Sequence, residues 1–302
     1  MPNYPIHPPL IVHHMAAPHD VYPPNSLEAI QECLDTHAPF IEIDVTALAA
    51  TDYLLVHDPV LQSETTGQGE VSHCTPEQIR QLKLTRNGQP TAYSPALLSE
   101  VVDLFVKRGG QTRLQIDFKN VLPMTDNEIL HRLVSIIEPL ESRVIVSTGA
   151  DWHLRRLHRI APWLDLGFDI HFYVDWRLPD DEIDPRVPPF KQGAYGYWDD
   201  HVLAFEKHWS TPVYLAERCD NLVDSVPFAS TFYIDHKLIV RSLDDGFNWA
   251  DALHQRGIKL DAWTLDKGNA MAETNARRLL EAGVDQFTTN TPTEMTQLLS
   301  QH

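Results

Sequence analysis

Short apolar runs alternate with longer amphipathic segments along almost the whole chain. "PLIVHH" (9–14), "FIEIDV" (40–45), "YLLVHD" (53–58) and "RLQIDFK" (113–119) read as strands, and so do "RVIVSTG" (143–149) and "LDLGFDI" (164–170). Further on, "TFYIDHKLI" (231–239) is followed by the strand patterns "KLDAWTLD" (259–266) and "DQFTTN" (285–290). Between them lie segments with helical spacing. "NSLEAIQECLDTH" puts Leu27, Ile30, Cys33 and Leu34 on one face, with Asn25 or Ser26 as its N-cap. "TPEQIRQLKL" carries Thr75 as a cap and Pro76 at the first helical position. "SPALLSEVVDLFVKR", "DNEILHRLVSIIEPL", "DWHLRRLHRIAP", "FNWADALHQRG" and "MAETNARRLLEAG" continue the series. Strands that alternate with helices imply a parallel sheet, and unbroken apolar runs such as "LIV" and "VIV" suit strands buried on both faces.

About eight such units in 302 residues fit an α/β fold, a (β/α)8 TIM barrel forming a single domain over 1–302. A small insertion is expected over about 58–95, after the strand that ends in His57-Asp58. A long aromatic-rich loop is expected over about 172–218, where Tyr, Trp and Pro accumulate. There is no GxGxxG and no P-loop to favour a nucleotide-binding open sheet.

The net charge of -18 disfavours nucleic acid and anionic membrane surfaces as main partners. Cys33, Cys74 and Cys219 are far apart and read as reduced thiols of a cytoplasmic protein. No run reaches the roughly 18 apolar residues of a membrane span, and the first residues lack the pattern of a signal peptide.

Polar residues gather at the ends of the apolar runs, where barrels carry their functional groups. Glu42 and Asp44 lie two apart in one strand and project from one face. Asp117 and Lys119 repeat that spacing. Glu42, Asp44 and Asp117 form a set of hard oxygen donors for one divalent cation, Mg2+ or Ca2+. His57 ends the third run. At the end of the first, either His13 or His14 faces the site, because adjacent strand residues point to opposite faces. Two histidines and a lysine beside a cation suit phosphoryl chemistry: an acid and a base for the bridging oxygens, and positive charge for the others. His153 and His158 read as a solvated helix face. His171, His201, His208 and His236 have no assigned place.

Over nearly its whole length the chain resembles the glycerophosphodiester phosphodiesterases, within the phospholipase-C-like phosphodiesterase barrels. "PPNSLEAI" is similar to that family's PENT helix start, "IEIDV" to its ExD strand, and "LLVHDPVLQSETTGQGEV" to its HD-to-TTG-G segment. "SPALLSEVVDL" resembles PTLEEVLDL, "LQIDFK" resembles IEIK, "AWTLD" resembles WTVN, and "LLEAGVDQFTTNTP" resembles LLALGVDGIITDRP.

The resemblance implies Glu42, Asp44 and Asp117 as metal ligands and His57 as one catalytic histidine. It implies His14 as the other, with His13 as the alternative, Lys119 as the phosphate-binding lysine and Trp263 as a substrate-side aromatic. It implies a small-molecule phosphodiester substrate, cleaved to sn-glycerol 3-phosphate and an alcohol. The chain departs from the pattern at "HHMA", where the family has His-Arg-Gly. If His14 is catalytic, Met15 replaces a phosphate-binding arginine, as in the venom sphingomyelinase D branch, which also has Met after its histidine. Pro24 replaces the Glu of PENT, and Asn290 the closing Asp. These departures keep two other readings open: a sphingomyelinase D or lysophospholipase D-like enzyme that releases a cyclic phosphate, and a non-catalytic barrel that binds phosphorylated ligands.

Overall fold

The structure, a computed structural model, describes residues 8–17, 21–49, 51–178 and 191–300. Eight parallel strands form the barrel: β1 (Leu10–His13), β2 (Phe40–Ala47), β3 (Arg113–Phe118), β4 (Val144–Thr148), β5 (Asp165–Asp169), β6 (Thr231–Asp235), β7 (Lys259–Trp263) and β8 (Gln286–Thr289). Each pairs with the next, and β1 pairs with both β8 and β2, so the sheet closes. Helices pack outside: α1 (Leu27–Asp35), α2 (Leu98–Arg108), α3 (Glu128–Ile137), α4 (Asp151–Ile160), α5 (Thr211–Ser225), α6 (His236–Asp244), α7 (Trp249–His254), α8 (Ala270–Glu281) and α9 (Pro292–Ser300). The eight-strand parallel barrel expected from the alternation is the fold observed.

Local chemistry sets the elements. The Ala29 N–H donates to Ser26 Oγ at 3.2 Å, which caps α1 and contributes about 1 kcal/mol. Ile30, Cys33 and Leu34 then bury the face of α1 that meets the barrel. In β2, Ile41, Ile43 and Val45 point outward into the main hydrophobic cluster. Phe40, Glu42, Asp44 and Thr46 share the opposite parity and point inward. Val12, Phe40 and Ile145 make an apolar plug low in the barrel. Above it the interior turns polar, with Gln115, Ser147, Asp261 and Thr288 all buried. This layering carries every inward side chain at the strand ends into one mouth.

The third apolar run differs from expectation. Only Tyr53–Leu54 is a strand, and it runs antiparallel to the end of β2, with Leu54 opposite Thr46. "YLLVHD" is therefore the return arm of a hairpin and no barrel stave. It is buried because Leu54 and Val56 pack with Leu61, Val71, Ile79 and Leu97 in a second cluster. That cluster lies under the insertion, which holds the short helix Pro76–Ile79 and a ribbon of Thr85–Arg86 with Gln89–Pro90.

"TFYIDHKLI" divides at Asp235, whose carboxylate accepts the Lys237 N–H at 2.7 Å and caps α6. The long irregular stretch is shorter than expected, since α5 begins at Thr211; residues 179–190 of it lie outside the described residues. Asp199 ties the stretch to α5, accepting from Arg218 Nε at 2.6 Å and from Tyr214 Oη at 2.8 Å. His153 is also not on a solvated face. It is fully buried beside Phe118, with Nε2 3.0 Å from the Leu122 carbonyl. Among the described residues no helix is long and apolar enough to cross a membrane.

Candidate active site

The mouth of the barrel holds a cavity of about 680 Å3, lined among others by His14, Glu42, His57, Asp117, Lys119 and Trp263. After β1 the backbone turns left-handed at Met15 (φ 49°) and Ala16 (φ 50°). That turn aims the Met15 N–H at Glu42 Oε2, 2.7 Å away, and its carbonyl at the Asn25 N–H, 2.7 Å away. Asn25 is itself left-handed (φ 57°), a conformation Asn tolerates better than most residues. Fully buried, it donates from Nδ2 to Asp44 Oδ2 at 3.0 Å and accepts the Asp44 N–H at 3.2 Å. The "HHMA" and "PPNS" segments thus hold the two β2 carboxylates in place.

Glu42, Asp44 and Asp117 offer oxygen atoms all within 4.8 Å of one another. Asp44 and Asp117 are register partners across β2 and β3. Lys119 Nζ lies 2.9 Å from Asp44 Oδ1 and also contacts Asp117. Burial, then the charges of Asp44 and Asp117, push the Glu42 carboxyl well above the ordinary range. Burial opposes ionisation of Asp44 too, but Lys119, His57 and His14 outweigh it and hold Asp44 down at about 2. Burial also disfavours the Lys119 cation, and the three carboxylates overcome it and raise its pKa. One ammonium balances three crowded carboxylates incompletely, so a hard divalent cation fits both the donor set and the remaining charge.

The histidine pair is resolved by position. His14 lines the cavity, with Nε2 3.9 Å from Glu42 Oε2. His13 points to the outer side of β1, its Nδ1 3.7 Å from Cys33 Sγ. Met15 is therefore the residue that follows the cavity-facing histidine. His14 Nδ1 lies 2.9 Å from Asn290 Oδ1, while Asn290 Nδ2 donates to Asp266 Oδ2 at 2.9 Å. A carboxylate only accepts, so the amide must turn its NH2 to Asp266 and its oxygen to His14. His14 then carries its proton on Nδ1, and Nε2 is left as the basic nitrogen facing the cavity.

His57 approaches from the insertion loop rather than from a strand. Its Nδ1 is 3.1 Å from Asp58 Oδ1. The N–H groups of His57 and Asp58 both donate to Glu64 Oε1, at 2.7 and 3.0 Å. Burial pushes the Glu64 carboxyl up to about 7. Trp263 meets His171 edge-on, with ring centroids 5.8 Å apart. His171 Nδ1 lies 2.8 Å from Asp169 Oδ1; burial works against its cation, but Asp169 prevails and raises its pKa.

The sequence did not show Glu64 and His171 as parts of this mouth, nor that Asn290 would meet Asp266 and His14. For His171 a signal existed: "DIH" repeats the Asp-x-base spacing of "DFK" at a strand end. For Glu64 none did, because its role depends on loop backbone geometry.

Comparison with known proteins bears on the family and the fold. Residues 14–191 match the model of the glycerophosphoryl diester phosphodiesterase family. A glycerophosphodiester phosphodiesterase of Caldanaerobacter subterraneus subsp. tengcongensis is 23% identical over 287 residues, covering 92% of this chain and 92% of that protein. The crystal structure of a glycerophosphodiester phosphodiesterase from Parabacteroides distasonis superposes with a TM-score of 0.65 at 16% identity, covering 96% of each chain. A phosphodiesterase from Oleispira antarctica, solved in complex with the product sn-glycerol-3-phosphate, superposes with a TM-score of 0.63 at 14% identity over 97% of each chain. The chain is an enzyme of the glycerophosphoryl diester phosphodiesterase family.

Proposed function

We propose that this barrel is a metal-dependent hydrolase of glycerophosphodiesters, releasing sn-glycerol 3-phosphate and an alcohol through His14 and His57. The observation that carries the reading is a cluster of three carboxylates, two of them lining one cavity, with a lysine and two histidines that reach that cavity from the ends of β1 and β3 and from the insertion loop. Glu42, Asp44 and Asp117 would hold the cation, Mg2+ or Ca2+. When bound, the cation supplies charge neutralisation and polarises the phosphoryl oxygens. Lys119, held charged by its carboxylate neighbours, balances a non-bridging oxygen.

His14 Nε2 would take the proton of the glycerol 2-hydroxyl as its oxygen bonds to phosphorus. His57, kept beside Asp58, gives a proton to the departing alcohol oxygen as its bond to phosphorus breaks. The same two groups in exchanged roles let water open the cyclic phosphate. Trp263 borders the departing group. The product complex of the Oleispira protein supports glycerol phosphate as the product class here.

A second reading stops at the cyclic phosphate, and Met15 at the arginine's place favours it, since one bidentate phosphate clamp is missing. Phosphorus NMR of the purified chain with glycerophosphocholine and lysophosphatidylcholine decides. A final signal of glycerol 3-phosphate supports hydrolysis, and a persistent cyclic phosphate supports the second reading. An unchanged spectrum with every divalent cation and with a wider set of diesters would return the chain to a phosphate-binding role.

A further inference from the structure

Four times at the mouth of this barrel an aspartate precedes a base by two residues: "DFK" at 117–119, "DIH" at 169–171, "DWR" at 175–177 and "DHK" at 235–237. All eight charged side chains line the cavity. The first pair belongs to the carboxylate cluster. The other three lie at the ends of β5 and β6 and in the stretch after β5. Within each pair the two charges lie close together: His171 Nδ1 is 2.8 Å from Asp169, Arg177 Nε 2.6 Å from Asp175, and Lys237 Nζ 3.7 Å from Asp235. Their side chains are only 10–21% exposed. We propose that this wall is the subsite for the departing alcohol, and that the alcohol it takes is a neutral polyol such as a cyclitol, a sugar or a second glycerol.

This subsite rests on the phosphodiesterase reading above, and the chemistry of the wall disfavours the other head groups in turn. Among the described residues the wall holds three acids and three bases. A quaternary ammonium head group would feel each carboxylate beside its own cation, so the attraction largely cancels. Among the described residues two of the wall's rings are already engaged: Arg241 lies over the Trp176 ring at 5.9 Å, and Trp263 forms a T-shaped pair with His171. A second phosphate would meet bases already engaged by carboxylates. An acyl chain would strip water from three partly buried ion pairs without replacing a hydrogen bond.

A polyol fits because each hydroxyl both donates and accepts. It can give its proton to a carboxylate and take one from the neighbouring ammonium, guanidinium or imidazolium. Tyr233, on β6 two residues before Asp235, adds a buried hydroxyl that has no partner among the described residues. The glycerol half of the diester does not need this wall, because its 2-hydroxyl must lie by His14 and the carboxylate cluster.

The test compares kcat/KM of the full chain for glycerophosphoinositol, glycerophosphoglycerol and glycerophosphocholine, beside calorimetric titration with free myo-inositol and with choline chloride. We expect the two polyol diesters to exceed the choline diester by about tenfold or more, because a site built for hydroxyls rejects a ligand that lacks them. Asp235→Asn keeps the cap of α6 and removes one balancing charge, and it is expected to shrink that ratio to about threefold or less. Equal or better use of the choline diester would overturn the polyol subsite and leave the phosphodiesterase reading standing. If no diester is cleaved, the phosphodiesterase reading fails, and the titration still decides the subsite. Millimolar myo-inositol binding that Asp235→Asn weakens supports it; choline binding alone, or neither, refutes it.

Discussion

The side-chain oxygen of Asn290 lies 2.9 Å from His14 Nδ1, and this contact fixes which nitrogen of His14 is left facing the cavity. Asp266 enforces it by accepting both the Asn290 Nδ2 at 2.9 Å and the Asn290 N–H at 2.8 Å. Against the WTVN and closing patterns that the sequence resembles, Asp266 stands at the Asn and Asn290 at the Asp, and in this chain the two side chains face each other.

Breaking this relay should lower turnover without unfolding the barrel. Asn290→Leu is expected to reduce kcat by about a hundredfold, the scale of a misplaced catalytic group. Asn290→Asp alone sets two carboxylates against each other and should be comparably impaired. Adding Asp266→Asn should restore most of the rate. A double-mutant cycle in kcat measures the coupling, and additive losses would show that the two residues act separately.

The histidines should separate by position. His14→Asn and His57→Asn are each expected to lose 10²-fold to 10⁴-fold in kcat, the usual span for a general acid or base. His13→Asn, on the outer side of β1, should stay within about threefold. Steady-state rates on one diester are sufficient, and a large loss at His13 would reverse the assignment.

Parity made the carboxylate cluster and its lysine legible in the sequence, while His13 and His14 stayed open until the barrel showed which one faces the cavity. Residues two apart share a strand face, which linked Glu42 with Asp44 and Asp117 with Lys119 before any fold was known. Burial alone misled at "YLLVHD", whose Leu54 and Val56 are as buried as any barrel strand but pack under the insertion. Helix α5 escaped because its inner face carries Arg218, 3% exposed and neutralised by Asp199 from a loop with no recognisable pattern. His153 was misplaced for a related reason: its partners, Leu122 and Phe118, come from another unit of the barrel. The Asn290–His14 contact joins segments whose meeting only the closed barrel determines, and the Glu64 contacts depend on the backbone geometry of their own loop.

Glu64 should give the loop of His57 a pH signature. Burial raises its pKa from the ordinary carboxylate value to about 7. The folded state therefore binds a proton that the unfolded state releases. The stabilisation is complete below about pH 4.5 and is lost as pH rises through about 7. Thermal melts in EDTA should show a part of the decline across this window, up to about 3 kcal/mol, that Glu64→Gln removes. Because Gln keeps an accepting oxygen for the His57 and Asp58 N–H groups, its kcat should stay within about threefold. Glu64→Ala leaves both donors unpaired, at a cost of about 1–3 kcal/mol each if they remain dry, and should fall much further.

Lys119 is the counter-charge of the carboxylate cluster in the absence of a cation. Lys119→Met should destabilise the metal-free protein by about 3–5 kcal/mol, the cost of leaving buried charge unbalanced. Mg2+ or Ca2+ should restore a large part of that loss, giving the variant a greater metal-dependent rise in Tm than the unaltered chain. An equal rise in both would separate the lysine from the cation site.

The central claim is that Glu42, Asp44 and Asp117 hold a cation on which phosphodiester cleavage depends. The most direct measurement is the release of sn-glycerol 3-phosphate by the EDTA-treated chain, before and after adding Mg2+ or Ca2+, with Glu42→Gln alongside. Release should fall by about a thousandfold in EDTA, return with the cation, and stay low in Glu42→Gln at every cation concentration, as expected when several kcal/mol of charge stabilisation is lost. Undiminished release in EDTA, matched by the Glu42→Gln chain, would contradict the account.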